Sequence, residues 1–100
     1  MVPLASGLGQ NYPNPFNPET WIPYQIREEA EVGIAIYNAR GDLIRNFNLG
    51  LKPVGYYTTS DKAVYWDGRN NGGEDVASGI YFYRLIAGSQ TEIKKMIIIR

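Results

Sequence analysis

The chain has 100 residues, a formal net charge of zero, and neither histidine nor cysteine. This length supports one compact domain, and the missing residue types exclude disulfides, Cys/His metal sites and His-assisted nucleophiles. The balanced charge argues against nucleic-acid binding, and no apolar stretch reaches the ~20 residues of a membrane span, so we expect no stable membrane insertion.

The amino-terminal segment has two parts. Residues 1–9 are small and uncharged, which is typical of a flexible linker, and we predict that they join an upstream cargo domain to a domain at 10–100. Residues 10–20 contain three prolines, which exclude helix and interior strand. This segment is either a polar linker or, as we favour, a clamp across one end of the domain, in which Tyr12 and Phe16 are buried anchors.

Three strands follow in the first half of the chain. Residues 20–26 alternate apolar and polar side chains, which predicts one strand, and Pro23 restricts that strand to a sheet edge. Residues 31–38 and 43–49 are predicted to form a hairpin around the turn at 38–42, where Asn, Gly and Asp are concentrated.

The middle of the chain is less regular. Residues 56–59 and 62–67 are short strand candidates, and Trp66 is predicted to be a large core anchor. The loop at 67–75 has the oxygen-rich side chains of a calcium site, but Arg69 stands where a carboxylate is expected. We favour a plain turn, with calcium as the open alternative; its candidate ligands are Asp67, Asn71, Glu74 and Asp75.

Residues 78–87 predict one long strand, because aromatic and β-branched side chains are enriched between two glycines. Alternation predicts that Tyr81, Tyr83, Leu85 and Ala87 face the core, whereas Ile80, Phe82, Arg84 and Ile86 face away. Residues 91–100 are predicted to return antiparallel to it. The chain thus predicts an all-β antiparallel sandwich of about seven strands.

The last strand carries more apolar residues than one face can bury. Residues 96–99 are all apolar, so this strand presents apolar side chains on both faces. Either the strand is central or shielded by a loop, or a partner recognises it, by its outer face or by adding a strand to its edge. An edge-to-edge homodimer is a further alternative.

No arrangement in the sequence predicts catalysis. Glu28, Glu29 and Glu31 lie on a predicted turn, and nothing brings two carboxylates onto one concave surface. We therefore expect a protein that is not an enzyme and has no catalytic residue, cofactor or resident metal.

Five groups of residues along the chain, of which the second is Ile36-Tyr37-Asn38-Ala39-Arg40-Gly41, resemble the type A carboxyl-terminal sorting domains of the type IX secretion system. They include Trp66-Asp67-Gly68-Arg69-Asn70, Ser78-Gly79-Ile80-Tyr81-Phe82-Tyr83-Arg84-Leu85, and the closing run from Lys94. The first group is the amino-terminal motif Asn11, Tyr12, Pro13, Asn14, Pro15, Phe16, Asn17 and Pro18. The chain is also similar to the Ig-like domain of flagellar hook-capping proteins.

This resemblance implies an Ig-like sandwich that serves as an export address on a secreted or cell-surface protein. An outer-membrane translocon would recognise it and a sortase-like peptidase would cut before it. The implied recognition residues are Lys94, Lys95, Met96, Ile97, Ile98, Ile99 and Arg100. We predict that the three cations among them set the direction in which a partner binds the strand. The implied processing region is Leu4, Ala5, Ser6, Gly7 and Leu8, as the most exposed part of the linker. The alternative is a passive Ig-like accessory or adhesive domain that binds carbohydrate or protein.

Overall fold

The computed structural model describes residues 2–100, so Met1 of the predicted linker lies outside it. The strands are β1 (Gly7–Leu8), β2 (Thr20–Ile22), β3 (Tyr24–Ile26), β4 (Ala30–Asn38), β5 (Leu43–Lys52), β6 (Gly55–Tyr57), β7 (Val64–Trp66), β8 (Gly79–Ala87) and β9 (Gln90–Ile98). Within residues 2–100 there is no helix of the length and apolarity that a membrane crossing requires.

The strands form two layers. One layer is the four-stranded antiparallel sheet β5-β4-β8-β9, and the other consists of two small sheets, β1-β3-β6 and β2-β7. The predicted all-β antiparallel sandwich is confirmed. Instead of the predicted seven strands, residues 2–100 form nine strand segments, because the second layer is built from short pieces. Of these, β6 and β7 are shorter than predicted.

The predicted single strand at 20–26 is wrong, because Pro23 divides it. β2 pairs with β7, whereas β3 pairs with β1 and β6 in a different sheet. Proline has no N–H to donate to a ladder, so the hydrogen bonding cannot continue through this position. The predicted alternation survives the break, since Thr20, Ile22, Tyr24 and Ile26 are all buried.

The core lies between the two layers, against the inner face of β8. Tyr81, Tyr83, Leu85 and Ala87 are buried there, as predicted from alternation. Trp66 is fully buried and lies across the core: its ring is 5.5 Å from that of Phe16 and 6.0 Å from that of Tyr81, between centroids. Its role as a core anchor is therefore confirmed.

The prediction that residues 1–9 do not pack is wrong for the end of that segment. Gly7 and Leu8 form β1, which pairs with the edge of β3, and Leu8 is buried in the core. The Leu8 N–H donates a hydrogen bond of 2.7 Å to Oε1 of Glu92. The physical reason is that β3 offers unpaired backbone groups at its edge, and covering them also removes the Leu8 side chain from water.

Candidate recognition surface at the carboxyl end

β9 is an edge strand whose two faces have different environments. Met96 and Ile98 point inward and are fully buried, whereas Ile93 is 60% exposed on the outward side. Ile97 is half-buried and Ile99 remains 54% exposed. The predicted two-sided apolar strand is therefore present, and the sandwich encloses only its inner side.

The proline-rich segment covers the free edge of β9. The Phe16 N–H donates to the Ile97 carbonyl over 3.0 Å, and the Ile99 N–H donates to the Phe16 carbonyl over 2.9 Å. The Ile97 N–H donates to Oδ1 of Asn14, at 2.9 Å. Strand addition by a partner beside residues 97–99, and an edge-to-edge homodimer there, would therefore have to displace this segment.

A buried hydrogen-bond network fixes the same segment to β8. The Asn11 N–H donates to the Tyr83 hydroxyl oxygen over 3.0 Å, and that hydroxyl donates to the Gly9 carbonyl over 2.9 Å. The Asn11 side chain is also buried and donates to Oγ1 of Thr20. Burial raises the pKa of Tyr83 to about 12, so its hydroxyl stays protonated and keeps donating at neutral pH.

The two predicted aromatic anchors have different positions. Phe16 is buried against Trp66, so the predicted clamp is confirmed for this residue. Tyr12 is 37% exposed and stacks on Trp21, which in turn lies 5.4 Å from the Tyr65 ring. Burial of Tyr12 as a core anchor is therefore wrong. Its ring joins an aromatic row, Tyr12–Trp21–Tyr65, on the surface of the β2-β7 sheet, and no layer formed by residues 2–100 covers this row.

The rest of the amino-terminal motif acts through its backbone or is exposed. The Pro13 carbonyl accepts hydrogen bonds from the side chains of Asn11 and Thr20. Pro15, Asn17 and Pro18 are exposed. The motif is thus held by its buried Asn11 and Phe16 and by the Asn14 amide. Asn11 belongs to the predicted motif, but its burial was not predicted, because a lone asparagine carries no periodic signal.

The three predicted cations at the carboxyl end are not equivalent. The Arg100 guanidinium donates to the carbonyls of Val76 and Gly68, which holds it against the 68–76 loop. Within residues 2–100, neither Lys94 nor Lys95 has a carboxylate within 4.0 Å. The two lysines are therefore available to a partner, whereas Arg100 already has acceptors in its own chain.

The predicted processing region is exposed only in its first half. Leu4 is 91% exposed and Ala5 is also exposed. Ser6 accepts a hydrogen bond from the Arg27 N–H at 2.8 Å, and Leu8 is buried. The prediction that the whole region as far as Leu8 is exposed is therefore wrong, because the pairing of β1 begins at Gly7. Cleavage in this region stays a prediction.

The loop considered for calcium is held by arginines. Arg45 lies 3.1 Å from an oxygen of Asp67, and Arg69 lies 3.4 Å from an oxygen of Asp75. The Asn70 side chain accepts two backbone N–H groups and closes the turn. Among the residues that the structure describes, no three acidic side chains come together in a way that could hold a metal ion.

Comparison with known proteins places the fold. A family model described as the FlgD Ig-like domain matches residues 20–90, which span β2 to β8. Dimeric latent PorU from Porphyromonas gingivalis is similar over 99% of this chain, with a TM-score of 0.67 and 19% identity. PorZ, described as an essential bacterial surface component of the type-IX secretion system of the same organism, is similar over 94%, with a TM-score of 0.63 and 21% identity.

At these identities the likeness shows a shared fold. The chain covers 10% of the PorU chain and 12% of the PorZ chain, so the likeness concerns one domain-sized part of each. No curated protein matches the chain.

Proposed function

We propose that this chain, which belongs to the FlgD Ig-like domain family, acts as the carboxyl-terminal sorting domain of a protein exported by a type IX secretion system. In this role an outer-membrane translocon recognises the domain and a sortase-like peptidase removes or processes it. The cargo precedes residue 1 and reaches the medium or the cell surface through the periplasm and outer membrane. The domain is a substrate of this machinery and does no chemistry itself.

One observation carries the proposal. The likeness to PorZ, a surface component of the type-IX system, extends over 94% of this chain, beyond the residues 20–90 that the family model matches. The regions outside the family match include most of the amino-terminal motif and nearly all of β9, which are two of the regions that resemble sorting domains. The presence of a similar domain in a protein of that secretion system supports a role in export for this chain.

The contacts between the chain ends support recognition of a folded domain. Residues 94–100 lie in or directly after an edge strand whose backbone is bonded to Asn14 and Phe16. The parts of this strand that a partner can reach are the two lysines and the outward isoleucines. We therefore propose that Lys94, Lys95, Ile97 and Ile99 contribute the contacts, while Met96 and Ile98 hold the strand in place.

A secretion assay tests this function. The full chain is fused to the carboxyl end of a periplasmically exported reporter, in a host with a type IX route, and surface-exposed reporter is measured. Deleting residues 96–100 should abolish delivery, but this deletion also removes the core residues Met96 and Ile98. The double variant Lys94→Glu/Lys95→Glu therefore serves as the second test, since it removes no fully buried side chain. Lys94 is half-buried opposite Tyr83, so thermal melting checks that this variant folds. Undiminished delivery of both variants would contradict the proposal.

The exposed aromatic row favours a second candidate, in which the domain is an adhesive module that binds carbohydrate. Tyr12, Trp21 and Tyr65 offer adjacent aromatic rings on one surface, and aromatic faces bind the apolar faces of sugars. Affinity electrophoresis in polysaccharide gels tests this role. Retardation of the wild-type chain that Trp21→Ala abolishes would support it, and equal mobility of the two would exclude it for the polysaccharides used.

A further inference from the structure

The outer face of the β5-β4-β8-β9 sheet has no covering layer within residues 2–100. Along β8 and β9 this face presents apolar side chains, with Ile80 44% exposed and Ile93 60% exposed. Ile80 lies opposite Ile97 and Phe82 lies opposite Lys95 in the strand register. The apolar side chains are thus contiguous across two strands, which is typical of a surface that contacts another protein.

Arg84 lies in the middle of this apolar face. Its neighbours across the strands are Ala35 and Ile93, and its neighbours along β8 on the same face are Phe82 and Ile86. Its Nε atom is buried and has no hydrogen-bond partner, and in the part of the chain that the structure describes no carboxylate lies within 4.0 Å of the guanidinium. Buried polar groups almost always have a partner, so the Nε atom of this half-buried arginine lacks an acceptor within residues 2–100.

We propose that this face docks a protein partner whose apolar surface carries a carboxylate, and that the carboxylate accepts hydrogen bonds from the Arg84 guanidinium. The proposal rests on the sorting function, because the partner is the component of the secretion machinery that recognises the domain. It extends the recognition surface from the end of the chain to the face of the sheet. A carboxylate is the complementary acceptor, since the guanidinium fork matches its two oxygens.

The charges on the face select among possible occupants. Lys95 is a second cation near Arg84, and the acidic residue of the face, Glu31, lies near the far end of β4, opposite Leu51. A symmetric contact with a second copy would bring the same cationic patch onto both sides, which like charges disfavour. Anionic membranes are bound by clusters of 4–8 basic residues, roughly, and this face has two. An acidic and apolar protein surface is therefore the occupant that fits.

A hollow at the Glu31 end of the same face gives it shape as well as charge. It has a volume of about 370 Å³ and is lined by Glu31, Val32, Gly33, Asn48, Gly50 and Ile86. A Cβ atom added to Gly33 would meet only the Phe47 carbonyl oxygen, at 3.6 Å, and its φ angle is not positive. Neither space nor backbone angle therefore requires glycine here. A glycine inside a strand marks either a bulge, and the β4–β5 register shifts between Val32 and Gly33, or the close approach of another molecule. The hollow is placed to accept a side chain of the partner.

The secretion assay tests the docking face with matched variants of the full chain. Arg84→Glu and Ile93→Ser should each lower surface delivery by about tenfold or more, since each removes a central contact. Arg84→Gln, which adds no negative charge, guards against misfolding of Arg84→Glu and should also lower delivery. The first control is Arg40→Glu, on the hairpin turn, where the arginine side chain is 84% exposed. The second control is Val54→Ser, just before β6, where the valine is 41% exposed. Surface delivery of both control variants should be within about twofold of wild type. Thermal melting of each purified chain confirms folding.

The outcomes separate the two proposals. If the wild-type fusion is not delivered, the sorting function is wrong. If the wild type is delivered and folded Arg84→Gln and Ile93→Ser are delivered equally well, the sorting function stands and the docking face is overturned. A dimer of the wild-type chain in sedimentation that Arg84→Glu dissociates would identify a second copy as the occupant and overturn the proposed partner. Binding to phosphatidylglycerol vesicles that Arg84→Glu abolishes would do the same in favour of a membrane.

Discussion

The two faces of the β8–β9 hairpin differ in how far their apolar side chains are buried. On the inner face Tyr83, Leu85 and Met96 are at most 1% exposed, because the second layer lies against them. On the outer face Ile80 and Ile93 are about half exposed, although the same two strands carry them. Apolar content alone therefore does not distinguish the face that stabilises the fold from the face that is available for recognition.

The largest expected effect is on the inner face. Trp66→Ala should lower the free energy of unfolding by about 3–5 kcal/mol, because it leaves a large cavity next to Phe16 and Tyr81. Urea unfolding followed by circular dichroism measures this value. The control is Tyr65→Ala, one residue earlier in β7 and 45% exposed, which should cost well under half as much. Equal losses for the two variants would contradict the assigned faces.

Unfolding at alkaline pH tests the burial of two core tyrosines without a mutation. Burial raises the pKa of both Tyr24 and Tyr83 to about 12, from 10.0 in the unfolded chain. The unfolded chain then loses these protons first, so stability is fully present below about pH 10 and falls as pH rises from about 10 to about 12. Urea midpoints measured across this interval should decrease steadily, and a flat profile would show that these hydroxyls are not buried.

The hydroxyl of Tyr83 is a smaller test of the same region. Tyr83→Phe should cost about 1–3 kcal/mol, because the buried Asn11 N–H loses its acceptor and the Gly9 carbonyl loses its donor. The matched control is Tyr65→Phe, whose hydroxyl bonds Glu19 at the surface and should matter little. If Tyr83→Phe is as stable as wild type, the amino-terminal segment is not held by this network.

On the outer face, stability and function should change in opposite directions. Gly33→Ala should stabilise the domain by about 0.5–1 kcal/mol, because alanine loses less backbone entropy in a strand and the added Cβ has room. The same change fills part of the hollow, so we expect lower surface delivery of the fused reporter. A stabilised variant with full delivery would argue that the hollow is not a contact site.

The smallest expected change in stability is at the most exposed outward isoleucine of β9. Ile93→Ser should alter the free energy of unfolding by no more than about 0.5 kcal/mol, because this side chain is 60% exposed. The urea midpoint of this variant, measured beside that of Trp66→Ala, completes the contrast. A loss above about 2 kcal/mol would mean that the outer face carries part of the core.

Much of the fold could be predicted from the sequence where the signal is local. The alternation in β8 gave the correct inner residues, and the turn at 38–42 marked the hairpin, in which Gly41 has a φ of 89°. The candidate site was predicted only in part. The apolar excess of residues 96–99 is visible in the sequence, but which of them remain exposed depends on the cover that Phe16 and Asn14 provide.

The sequence by itself determined the class of fold, the inner face of β8 and the position of Trp66, because a period of two and turn chemistry involve residues close together in the chain. Only the tertiary structure decided that Leu8 enters the core, that Phe16 covers β9, and that the Nε atom of Arg84 has no acceptor within residues 2–100. The Asn11–Tyr83 hydrogen bond joins residues 72 positions apart. Such contacts depend on which strand edges remain open after the sheets form, and no local pattern records that.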